Sequence, residues 1–193
     1  MPSRSDDPVA QALDEGVARL RTAVRAVEAS NPVVLIDGRS GAGKSTLARL
    51  LAERWPLRTT PQLIALDSIY PGWDGLEEGA RRAYEQILQP HGRGRVSTWQ
   101  RYDWDAGAYA ESHAVNPARG LIVEGCGVLT TASAKIADVR VWVESPEPSR
   151  KRRALDRDGD LFRPHWDRWA AQEAAHLKRN EPIGLATMVV PVP

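Results

Sequence analysis

Apolar residues recur along the chain with two different periods. Val9, Leu13, Val17, Leu20, Val24 and Val27 step by three or four positions, which predicts an amphipathic helix over residues 8–29. Pro32 then opens the run Val33-Val34-Leu35-Ile36, which ends at Asp37-Gly38. A continuous β-branched run bounded by turn residues predicts a buried parallel strand. The alternation continues with a helix over 44–55, a strand over 63–66, a helix over 77–88 and a strand over 121–123. A short helix over 130–137, a strand over 139–143, helices over 148–156 and 165–179, and an edge strand over 186–190 complete it. Strands alternating with helices predict an α/β fold, three-layer α/β/α, with a mainly parallel five-stranded sheet and right-handed crossovers. Residues 90–116, rich in Gly, Trp and Tyr, break this rhythm and read as an irregular insertion carrying specificity. No repeat is present. The expected organisation is one domain over 1–193: residues 1–7 form a loose polar start, 1–30 contain an N-terminal helix extension, and about 146–165 form a small helical lid.

Composition narrows the function classes. The 193 residues carry a formal net charge of +1, which offers no general attraction to nucleic acid or to anionic lipid. Neither a nucleic-acid partner nor a membrane is expected. Cys126 is the single cysteine, so no intrachain disulfide can form. The first residues lack the apolar core of a signal peptide, and the cytoplasm is the expected location. Basic charge is mostly Arg, with Lys only at positions 44, 135, 151 and 178, so an individual Arg says less about function than a Lys does.

The chemistry begins at residues 38–46, GRSGAGKST, where Gly38, Gly43, Lys44 and Ser45 match G-x-x-x-x-G-K-[ST]. Glycines let a backbone curl around an anion, and a following helix adds free N–H groups and its positive dipole end. Gly38, Ser40, Gly41, Ala42, Gly43, Lys44, Ser45 and Thr46 are therefore the expected nucleotide-binding residues, with Lys44 on the β- and γ-phosphates and Ser45 on Mg²⁺. An N-K-x-D guanine-reading motif and an L-S-G-G-Q signature are absent, and 193 residues leave little room for an AAA-type lid. Elimination favours a small kinase.

Two acids stand at strand ends, where a parallel sheet presents side chains to its ligand crevice. Asp67 follows the second run and is the candidate base for an attacking hydroxyl; Glu124 follows the third and is the candidate second Mg²⁺ residue. Arg150, Arg153 and Arg157 share one face of a predicted helix, where cations could neutralise a migrating phosphoryl group or form a solvated basic face.

These residues resemble the uridine kinase branch of P-loop kinases over about residues 32–190. Ile36 through Thr46 is similar to that branch's phosphate loop. Asp67-Ser68-Ile69-Tyr70 resembles its D-S-F-Y segment, whose Asp is the catalytic base, and Tyr102-Asp103-Trp104 resembles its Y-D-F segment, which lines the nucleoside pocket. Val123-Glu124-Gly125 resembles the strand end that binds magnesium. Arg150, Arg153, Arg157 and Asp158 reproduce the spacing of its R-x-x-R-x-x-x-R-D lid. The pattern departs after Tyr102-Asp103-Trp104, where the branch has a nearby His and the first His here is His113. The resemblance implies ATP and Mg²⁺ as cofactors, and a catalytic set of Asp67, Lys44, Arg153 and Arg157. It also implies an acceptor pocket formed by Tyr70, Tyr102, Asp103 and Trp104, with a nucleoside or another small alcohol as acceptor. A nucleotide-binding switch module without a metabolite acceptor, or an RNA-end kinase, are the alternative readings. Trp166 and Trp169, three apart on a helix, read as core packing, and oligomeric state is left open.

Overall fold

Strand β1 (Val33–Asp37) is buried along its whole length and lies at the centre of a five-stranded sheet of order β2-β5-β1-β6-β7. The structure is a computed structural model describing residues 7–193; all but the last residue of the expected loose start lies outside the described residues. The other strands are β2 (Gln62–Ala65), β5 (Leu121–Glu124), β6 (Val139–Glu144) and β7 (Met188–Pro191), and every pairing is parallel. The apolar run explains the central position, because alternate residues of one strand feed opposite layers. Val33 and Leu35 join one core with Val123, Ile69 and Ile87, while Val34 and Ile36 join another with Ile122, Val141, Leu20 and Leu47.

The second core is covered by α1 (Pro8–Arg25) and α2 (Lys44–Glu53). Asp7 caps α1 by accepting the Val9 N–H at 3.0 Å, and Leu13, Val17, Leu20 and Val24 are its buried stripe. Each such leucine contributes about 1.5–3 kcal/mol by leaving water. The first core is covered by α3 (Leu76–Ala83) and α6 (Trp166–Asn180). Helix α3 runs on through a π-turn at Tyr84–Leu88 into α4 (Gln89–Gly92). Trp166 and Trp169 are buried here, as core packing required. Helix α5 (Glu147–Phe162) spans most of the expected lid and is broken at Gly159, whose φ of 54° and ψ of −131° are non-helical. A four-residue helix, α7 (Pro182–Leu185), precedes β7. No helix among the described residues is long and apolar enough to cross a membrane.

Two expectations fail. Residues 130–137 form only a short 3₁₀ turn at Ser133–Lys135, because the Thr130 and Ser133 side chains bond the local backbone instead of leaving it to a longer helix. Most of the insertion is also regular: β3 (Ser97–Asp103) and β4 (Ala108–Val115) pair as an antiparallel hairpin, with Trp99 opposite His113 and Tyr102 opposite Tyr109. Its stabilising pairs are aromatic and charged rather than aliphatic, including Trp99 stacked on His113 at 4.9 Å.

Candidate active site

Asp37 closes β1 and organises everything beyond it. Its buried carboxylate accepts the N–H groups of Gly38 (2.7 Å), Gly127 (3.0 Å) and Leu129 (2.8 Å), and contacts His176 Nε2 at 3.1 Å. One acid thus fixes the start of the P-loop, the chain leaving β5, and helix α6. The P-loop then packs too tightly for side chains at two points. A Cβ on Gly38 would meet the Val143 carbonyl at 2.5 Å, and one on Gly41, at φ 76°, would meet the Arg150 carbonyl at 2.1 Å.

The loop's polar groups divide into two sets. Ala42 N–H bonds the Arg39 carbonyl at 3.1 Å, and Ser40 N–H bonds Glu173 at 2.6 Å. Arg150 donates to the Ser40 carbonyl at 3.1 Å and Arg153 to the Gly41 carbonyl at 2.9 Å. Among the described residues, the amides of Gly41, Gly43, Lys44, Ser45 and Thr46 have no protein acceptor. Gly43 ends the loop at φ 106° without a side-chain cap, so the first N–H groups of α2 are left free for a ligand. Five unclaimed donors at a helix N-terminus suit the oxygens of a di- or triphosphate.

Lys44 stands over this nest, with Nζ 3.1 Å from the Arg39 carbonyl and 3.3 Å from Cys126 Sγ. Burial acts to lower its pKa, but Cys126, Glu124, Glu173 and Asp67 together raise it further, so it remains cationic. Glu124, buried at the end of β5, is shifted above the usual carboxylate range chiefly by burial, with Asp67 adding to the effect. Lys44, a hydrogen bond from Ser45 and the Arg157 charge act in the opposite direction. The Ser45 hydroxyl and Glu124 carboxylate are therefore adjacent, hard oxygen donors of the kind Mg²⁺ takes alongside phosphate oxygens. No group of three or more His, Cys, Asp or Glu side chains that could hold a metal ion occurs among the described residues.

Asp67 lies in a 3₁₀ turn (Leu66–Ser68) just past β2 rather than in the strand itself. It is close enough to Lys44, Glu124 and Arg157 to act on each electrostatically. The hairpin locks this turn: Trp104 Nε1 donates to the Asp67 carbonyl at 2.8 Å, and Tyr109 OH to the Ile69 carbonyl at 3.0 Å. Arg157 grips its neighbour Asp158 at 2.6–2.8 Å and is held above its usual pKa first by that bond and then by nearby acids, Asp67 and Glu124 among them.

The structure separates the remaining expected site residues. Arg153 is tied to Gly41, to Ser145 and to the Pro193 carbonyl, so it braces the loop from outside the amide nest. Tyr70 is 1% exposed and donates to the Cys126 carbonyl at 2.7 Å, with its ring edge-on to Trp169 at 4.9 Å. It is a core residue beneath the site. The Asp103 carboxylate accepts the Asp105 and Ala106 N–H groups at 3.1 and 2.9 Å and so caps the hairpin turn. Tyr102 and Trp104 do join an aromatic wall. Trp73 stacks on His165 (4.3 Å) and Phe162 (5.4 Å) and leans on Trp104 (5.0 Å), which meets Tyr102 edge-on at 5.7 Å.

Sequence reasoning missed Asp37, Glu173 and His176. The last two had a visible signal: Trp166, Trp169, Glu173 and His176 fall on one helical stripe, so an acid and a His share the buried face of α6. Cys126, which has no cysteine to pair with, is buried against Lys44 and Glu173, and burial pushes its pKa up to about 12. Native protein at pH 8 is therefore expected to alkylate with iodoacetamide about 10³-fold more slowly than denaturant-unfolded protein, whose thiol has its ordinary value. Mass spectrometry of the two time courses checks this, and equal rates would show an accessible thiolate.

The sheet order, the strand–loop–helix around residues 38–46 and the strand-end acids define a P-loop α/β/α fold. Comparison with solved structures agrees. The chain is similar to a possible uridine kinase from Bacillus stearothermophilus, with a TM-score of 0.66 and 19% identity over 92% of this chain and 98% of that one. It is also similar to a protein described as a candidate fructose transport system kinase from Silicibacter sp. TM1040, with a TM-score of 0.55 and 17% identity over 90% and 98%. The YGR205w protein gives a TM-score of 0.51 and 10% identity over 93% of each chain. No protein-family model and no curated protein sequence matches the chain.

Proposed function

We propose that this chain is an ATP- and Mg²⁺-dependent phosphotransferase that moves the γ-phosphate to a hydroxyl of a small acceptor, with a nucleoside as the favoured class. The observation that carries the reading is that Asp67 lies close enough to Lys44 to act on its charge, in a turn braced by Trp104. Five unclaimed amides with Lys44 would then be the donor half of a site, and Asp67 its acceptor half. A switch module needs only the first half. The aromatic wall of Trp73, Tyr102 and Trp104 supports a ring-bearing acceptor, as does the similarity to a possible uridine kinase.

On this reading the amides of 41 and 43–46 and the Lys44 ammonium hold and orient the phosphates. Ser45 and Glu124 would hold Mg²⁺, which when bound would neutralise charge on the phosphate oxygens. Asp67 orients the acceptor hydroxyl and receives its proton on a carboxylate oxygen as the new O–P bond forms. The bond from the γ-phosphorus to the β–γ bridging oxygen breaks, the electron pair leaving with ADP. Arg157 offsets charge on the transferring group. Arg153 acts indirectly, by fixing the Gly41 carbonyl. Catalysis is then positioning plus electrostatics, with no covalent enzyme intermediate.

The test is a panel of nucleosides and small sugars scored for ADP release, wild type beside Lys44→Ala. Release stimulated by at least one acceptor in the wild type alone is expected. If no acceptor raises release above the variant, the phosphotransferase reading gives way to the switch module.

A further inference from the structure

Helix α6 reaches the phosphate loop with a carboxylate that no step above uses. Glu173 is 3% exposed. Its Oε1 accepts the Ser40 N–H at 2.6 Å and lies 3.4 Å from Cys126 Sγ, while Oε2 accepts Arg39 Nε at 3.0 Å. These bonds fall on residues 39 and 40, immediately before the unclaimed amides. The preceding residue bonds a different segment: Gln172 donates to the Trp73 carbonyl at 2.7 Å and accepts the Leu76 N–H at 3.3 Å. Arg168, one turn earlier, pairs with Asp74. One stretch of α6 therefore grips the phosphate loop and the loop over residues 71–75.

A carboxylate beside a phosphate site repels the ligand, so any benefit must come through the shape of the loop. Burial acts to raise the Glu173 pKa, but the Ser40 bonds, Lys44 and Arg39 outweigh it and keep the group ionised.

We infer that Glu173 is a positioning residue for nucleotide binding: it holds residues 39 and 40 in the curve that turns the amides of 41 and 43–46 toward the ligand. Next to Gln172, it also sets the phosphate loop at a fixed spacing from residues 73–76. The inference rests on the nucleotide-binding reading proposed above.

Two variants separate reach from charge. Glu173→Asp keeps the charge but shortens the side chain, so it cannot span to Ser40. Glu173→Gln keeps the length and an oxygen acceptor but loses the charge. Calorimetric titration of the full chain with MgADP is expected to show about tenfold weaker binding for Glu173→Asp and a change within about threefold for Glu173→Gln. Cooperative melting of each variant establishes that folded protein is being titrated. A lower melting temperature with wild-type affinity in both variants would make Glu173 merely structural and overturn the inference. The reverse order, with Gln the weaker binder, would mean that charge rather than position matters, and would also overturn it. Amide exchange at Ser40 in the wild type provides a variant-free check: slow exchange is expected, and exchange at the rate of an open loop contradicts the bond. If the wild type itself binds no MgADP, the nucleotide reading fails instead, a result distinct from any difference among variants.

Discussion

Lys44→Ala is expected to lower phosphate transfer at least about 10³-fold, the scale at which a preorganised cation or donor is lost from a reacting centre. Lys44 is 8% exposed and has Glu124, Glu173 and Asp67 around it. Without its ammonium, incoming phosphates would face those acids uncompensated, so MgADP affinity is expected to fall along with turnover. Stability should respond in a pH-dependent way. The Glu124 pKa is already raised by burial, and losing Lys44 removes a charge that lowers it. An acid whose folded pKa is raised binds protons more tightly when folded, so stability falls as pH rises through the window from its ordinary value to its folded value. The melting deficit of the variant should therefore grow as pH increases from about 4.5 upward. ADP release, calorimetry and melting curves at several pH values measure the three effects. Transfer at the wild-type rate would remove Lys44 from the mechanism.

Asp67→Asn should separate binding from chemistry. The substitution preserves shape, and the hairpin docks on the Asp67 carbonyl rather than on its carboxylate, so the turn should stay in place. MgADP affinity is expected to remain within about threefold of wild type, because the amide nest is untouched, while acceptor-dependent transfer falls about 10²–10⁴-fold with the loss of a general base. The acceptor KM is expected to change less than kcat. Unchanged transfer would mean that another group takes the proton.

Much of the fold was legible because its central strands are spelled as uninterrupted apolar runs. Val33–Ile36 and Leu121–Val123 could be buried on both faces only within a parallel sheet, and they lie side by side at its centre. The hairpin escaped because its alternation uses Trp99, Tyr102 and Tyr109 among charged neighbours, which resembles loop composition when read locally. Asp103 with Gly107, at φ 64°, was a turn signature that the likeness of Tyr102-Asp103-Trp104 to a pocket motif obscured.

The site divides along similar lines. Residues fixed by backbone geometry, such as Gly38, Gly41 and Gly43, announce themselves in the motif. Residues whose role depends on distant partners do not. The Tyr70 hydroxyl finds a carbonyl 56 positions away, and its side chain packs against Gly79 through the ring and Gly125 through the hydroxyl. Arg153 has the spacing of a phosphate-facing cation, yet the Gly41 carbonyl and Ser145 lie closer to hand. Glu173 and His176 required noticing a charged residue and a titratable one on an otherwise apolar stripe.

The strand order also dictates when the molecule can come into being. Strand β1 is made well before either of its neighbours, because β5 and β6 both lie beyond residue 120. Until they emerge, Val33–Ile36 is an unpaired sticky segment, and nothing supports the curve of residues 38–46. Glu173, which follows both of those strands, arrives later still. A nascent chain halted before residue 144 should thus be blind to nucleotide and dependent on chaperones, with its ligand able to rescue it only after residue 173 has emerged.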